Sequence, residues 1–190
     1  MRHRGHFRGA GGPTTLDIIG LLVGNILAIL SWTLITTPFF VLFGVGFVVA
    51  SVCFWQLGRT ELARAYIIPT LVAGMLLIII GTGLFYTNKK RLAEFPVAYE
   101  ANAVAFVQAE RVRAEATLKE YQNVVFTAIP IILVGCAIGI LFLSTPGWRA
   151  SLITAMAMLI VILLIDGTAY ARVDAYNQQL LSAEQGVNKQ

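Results

Sequence analysis

Forty-one consecutive residues, Asp17 to Leu57, contain no Lys, Arg or Glu and no Asp after the first. As one helix this run would be about 62 Å long, twice a hydrocarbon core of about 30 Å, so it must break. Thr36-Thr37-Pro38 is the break that the sequence offers, since proline removes a backbone donor and turns the preceding residue away from helical geometry. Two spans result, about 17–35 and 39–57, each long enough to cross a bilayer.

The same pattern continues downstream. Gly58 to Ala65 is a short polar turn, Tyr66 to Tyr86 a third span with a tyrosine at each end, where interfacial rings belong. A fourth span is predicted over 123–143 and a fifth over about 151–167, with the helix running on toward Leu181. Pro130 inside the fourth leaves the carbonyl of Phe126 without its donor and predicts a kink. Ser144 to Gly147 reads as a tight turn, and Trp148 with Arg149 as an interface marker. With 57% hydrophobic and 13% charged residues and a mean hydropathy of +0.76, the chain lies far from soluble domains, of which about a quarter is charged.

Between the third and fourth spans lies the one long polar segment. Its alanine-rich stretch of about 92–121, with Glu110, Arg111, Arg113, Glu115, Lys119 and Glu120, predicts a polar amphipathic helix outside the membrane, supported by Glu115 and Lys119 at i,i+4. The expected architecture is therefore an all-α, polytopic transmembrane bundle of about five hydrophobic helices. Residues 1–16 form a basic arm with Arg2, Arg4 and Arg8, and residues 17–190 one helical domain. Because hydrophobicity continues from Ile18 past Trp32, the arm reads as the flank of an uncleaved anchor rather than of a cleaved signal.

A net charge of +4 would raise nucleic acid as a partner of a soluble protein, but here the basic residues flank spans, where they set topology and touch lipid headgroups. Excluding the arm, eight Lys and Arg lie in the polar segment and C-terminal tail, against Arg59, Arg64 and Arg149 on the opposite side, which puts the segment and tail in the cytoplasm. Five spans throw the arm to the other side and reduce the contrast to eight against six; one crossing within 17–57 would make it eleven against three.

Chemistry-bearing sets are sparse. Both histidines, His3 and His6, stand in the first six residues, so no Ser/His/Asp or Cys/His set can be assembled. Gly81-Thr82-Gly83 lacks the Lys-Ser/Thr of a phosphate loop. Cys53 and Cys136 sit in apolar runs as small hydrophobes. His3 could join the terminal amine around Cu(II) or Ni(II), but the signal is weak, and His3 and His6 are better read as part of a headgroup-facing basic arm. The expectation is no enzyme, no metal and no cofactor. Gly20 and Gly24, and Gly135 and Gly139, form small-xxx-small pairs suited to close helix packing, within the chain or between copies. Asn25 and Asp166 are polar groups at membrane depth; Asp166 could serve a proton, a cation or Tyr170 one turn on, or rest as an interfacial carboxylate. No other Asp or Glu falls within a span, which speaks against an ion-coupled carrier. Asn25 and Ser31 point about 120° apart at about 100° per residue, so they make no channel stripe.

Asn102-Ala103-Val104-Ala105-Phe106, then Glu110 and Arg113, and at the end Asp166, Arg172 and Tyr176, resemble motifs of a family of small bacterial inner-membrane proteins of unassigned activity. That family carries Asp-Pro where this chain has Asn102-Ala103. The resemblance spans about residues 50–180 and implies a four-helix core with the polar helix between its second and third members, 17–35 being an added helix, and a bacterial inner-membrane location. The functional expectation is an interaction or accessory protein that binds another membrane protein or itself through Arg111, Arg113 and Glu115, with the lipid bilayer as its surroundings. The rival is a homo-oligomeric channel or small transporter.

Overall fold

The computed structural model of the protein describes residues 38–101 and 103–187. All regular structure among them is helical. Helix α1 is Pro38–Leu57, α2 the single turn Glu61–Ala65, α3 Ile67–Ala101, α4 Ala103–Asn123, α5 Ile129–Phe142 and α6 Pro146–Val187. A π-helical turn, Val124–Ala128, joins α4 to α5. Four of the helical runs are long and apolar enough to cross a membrane: Pro38–Leu57, Glu61–Arg91, Gln108–Phe142 and Pro146–Gln178. The expected span over 17–35 and the arm 1–16 lie outside the described residues.

The apolar windows of these helices are only 11–28% buried, and Val45, Ile79, Ile131, Leu141, Ile160 and Leu164 all face outward. Four helices of spanning length with so apolar an outer surface belong in lipid, so the chain is a multi-pass membrane protein in contact with the bilayer. Trp55 and Trp148, 71% and 61% exposed, mark one edge of the apolar belt; Tyr86, 74% exposed, marks the other.

Inside the bundle, Phe40 of α1, Leu77 of α3 and Ile165 of α6 form the buried core, with Phe47, Met158 and Val161 against it. Lipid tails are as apolar as these side chains, so their burial contributes close packing rather than escape from water. Glycine lets α1 and α3 approach. A Cβ on Gly74 would come within 2.7 Å of the Gly44 carbonyl oxygen, and one on Gly81 within 2.9 Å of Phe40 and Val41. The Ser51 hydroxyl, 3% exposed, donates across the same contact to the Ile67 carbonyl at 2.7 Å.

The polar segment departs from the expected separate amphipathic helix. α3 carries its first part to Ala101, and α4 its second from Ala103, continuous through the π turn with the next span. On α4 the buried positions are Glu110, Ala114 and Leu118, one i,i+4 row, while Val112 is 68% exposed. One alanine, one leucine and a carboxylate do not make an apolar face of the kind that floats on a membrane. α6 likewise begins five residues earlier than expected, Pro146 taking a first-turn position where its missing N–H costs nothing.

Pro130 accounts for the π turn. It cannot donate to the Phe126 carbonyl, and the helix widens in the turn before it: the Ile129 N–H reaches back to Val124 O, and the Thr127 hydroxyl donates to the Gln122 carbonyl at 2.9 Å.

Candidate functional site

α3, α4 and α6 all run past the apolar belt on one side. About 15 residues of α3 lie beyond Tyr86, roughly 22 Å at the helical rise. Arg91 lies within electrostatic range of Glu110 and Arg113, which a straight helix would place about 30 Å away, so α4 folds back along α3. α4 also packs on the end of α6, where Tyr176 lies within electrostatic range of Glu110 and Arg113. The result is a polar, three-helix base continuous with the spans. α1 begins on this side too, since Pro38 and Phe85 line the same outer groove.

Glu110 is the base's internal tie. Its side chain is 7% exposed and its carboxylate accepts from the Arg113 guanidinium, which is 38% exposed. The pair sits one helical turn apart on α4 and satisfies a carboxylate that would otherwise be stranded between helices. The Tyr176 hydroxyl and Asn177 Oδ1 are buried nearby on α6 and make no hydrogen bond.

Arg111, Arg113 and Glu115 are thus brought to one helix but into two settings. Arg113 turns inward to Glu110, whereas Arg111 donates to Glu115 at 3.0 Å on the exposed face. Glu115 therefore pairs with the residue four before it, not with Lys119. Val112, between the two arginines, faces outward.

Asp166 stands twenty residues beyond Pro146, about 30 Å along α6, which puts it at the base-side edge of the hydrocarbon. Tyr170 does not serve it: its hydroxyl accepts from Gln122 Nε2 at 3.4 Å, and its ring packs edge-on against Tyr121 and Phe126. Gly135 has nothing within 4 Å of an added Cβ, and Gly139 faces Leu152. Gly20, Gly24 and Asn25 lie outside the described residues. Among the described residues no three His, Cys, Asp or Glu side chains group as metal ligands.

Sequence reasoning missed the Gly44, Gly74 and Gly81 contact, although glycines seven apart at 74 and 81 lie on one face of a helix. It also missed a use for the opposite-side arginines. Arg64 donates to Gly58 O at 3.4 Å and Arg149 to Leu143 O at 2.9 Å, each closing the carbonyl end of the preceding span.

Comparison with protein-family models, with characterised proteins and with solved structures finds no match. What stands is a multi-pass, all-α membrane protein with four candidate spanning helices and a polar helical base.

Proposed function

We propose that the chain is a non-enzymatic interaction or accessory protein of the bacterial inner membrane, which presents its base to another membrane protein or to a second copy of itself. The observation that carries this reading is the base itself: three spanning helices prolonged past the apolar belt and tied internally by Glu110 and Arg113, with Arg111, Val112 and Glu115 left on the outside. An anchor alone needs no such structure, and a rigid helix face with an exposed apolar residue between charges suits recognition.

The location rests on the seven described basic residues on the base side and on the resemblance of residues about 50–180 to small inner-membrane proteins. Against the rival channel reading, Phe40, Leu77 and Ile165 fill the bundle interior that a pore through one chain would use.

A photo-crosslinking residue at Val112, in cells, tests the proposal. A discrete crosslinked species is expected, lost when Arg111→Glu and Glu115→Arg are combined so that the local pair survives but its presentation reverses. No crosslink, or one indifferent to the swap, contradicts it. Arg113 is left unchanged, since its loss would strand Glu110.

A further inference from the structure

Where the four spans meet the base there is a cavity of about 310 Å³. Its apolar part is built by Phe40 of α1, Val125 of the π turn and Ile162 of α6, and its polar part by Glu120 and Tyr121 of α4 with Asp166 of α6. Phe40 and Val125 are 3% and 4% exposed, so the cavity ends against the packed core, while Ile80, Leu84 and Val124 of its lining are 40–50% exposed and open it to the bundle surface. Neither carboxylate has an ion-pair or hydrogen-bond partner among the described residues, and none of those lining the cavity is Lys or Arg.

This combination is chemically lopsided. Two acids share one cavity: Asp166 is half-buried at the edge of the hydrocarbon, where an unpaired charge is costly, Glu120 is exposed, and the wall behind them is aliphatic and aromatic. Tyr121 packs edge-on with Tyr170, at 6.3 Å between ring centres, and its ring stands in the same lining as the acids. Carboxylates and a tyrosine ring attract an ammonium, and the wall takes an apolar chain. The volume is at the lower end for small-molecule cavities between bundle helices.

We propose that this cavity binds an amphiphilic ammonium, with its alkyl chain against Phe40, Val125 and Ile162 and its charged head between Asp166 and Glu120. A phospholipid ethanolamine headgroup and a free lipophilic amine share that chemistry. The site is independent of the recognition face around Val112, so either can fail without the other.

The test uses the full chain in a neutral detergent, titrated with radiolabelled octylammonium, with octanol as the uncharged isostere. Saturable binding is expected, weakened at least about tenfold by Asp166→Asn and severalfold by Glu120→Gln, with octanol unable to compete. Glu120 is exposed, so its change leaves the fold intact; the melting temperature of Asp166→Asn verifies the other. Mass spectrometry of the intact protein separates the sources. Phosphatidylethanolamine retained by the wild type and lost in the double variant assigns the site to lipid, whereas octylammonium binding without retained lipid assigns it to a free amine. Absence of saturable binding, equal binding of octanol, or binding unchanged in the double variant overturns the proposal.

Discussion

At the scale of single residues, the contacts that matter most are made by glycine and by one carboxylate. Gly74→Ala places a methyl 2.7 Å from the Gly44 carbonyl oxygen and 2.9 Å from the Val48 nitrogen, both backbone atoms that cannot swing aside. α1 must move off α3, at a cost of about 1–3 kcal/mol for overpacking. Gly83→Ala and Gly135→Ala meet nothing within 4 Å and should stay within about 0.5 kcal/mol of the parent. Unfolding in mixed detergent micelles, with all three variants side by side, measures the difference. A parallel contrast holds in the base. Glu110→Gln takes the charge from a side chain that is 7% exposed and removes its ion pair with Arg113, destabilising by about 2 kcal/mol. Glu115→Gln breaks an exposed pair and costs less than about 1 kcal/mol. Equal losses for the two, read as shifts in melting temperature, would mean that Glu110 does not bind the base together. The sequence marked Glu110 only as one acid in a polar helix, because burial by a neighbouring helix leaves no trace in local composition.

At the scale of elements, the spans after Pro38 were legible because charge-free stretches of membrane length have few other uses. The polar segment was legible as helix from its alanine, glutamate and arginine content, but not as two helices. Nothing from Ala98 to Ala105 except Asn102 favours a turn, and no glycine or proline falls there. α4 nevertheless begins at Ala103, the position where the resembling family carries proline. Proline also explains the π turn, which amounts to one residue in excess of regular α-helix. Deleting Thr127 should therefore restore an α-helical turn while keeping α4 and α5 in register with α6, so that melting changes little. Deleting Val134 should rotate the end of α5 by about 100° and carry Cys136 out of its buried place, with clear loss of stability. Similar losses in both deletions would contradict the reading of 124–128 as an inserted residue.

At the scale of the whole molecule, the four described spans have α1's start, the base and the end of α6 on one side. The connections 58–60 and 143–145 lie on the other. Two of the three arginines on that other side already close helix ends, Arg64 at Gly58 and Arg149 at Leu143, so their charges carry less weight in orientation than a bare count implies. Among the described residues seven Lys and Arg lie on the base side, against three on the other, and in the proposed orientation the base is cytoplasmic. Single cysteines at Ala105 and Gln178 in the base, and at Thr60 and Ser144 in the opposite connections, test this arrangement on a chain with Cys53 and Cys136 replaced by alanine. The reagent is a maleimide that cannot cross the inner membrane, applied to whole cells before and after lysis. Labelling of Thr60 and Ser144 in intact cells, with Ala105 and Gln178 reached only after lysis, is the predicted result. Labelling of Ala105 together with Ser144 in intact cells would contradict the four-span bundle, and the mirror pattern would contradict the cytoplasmic base.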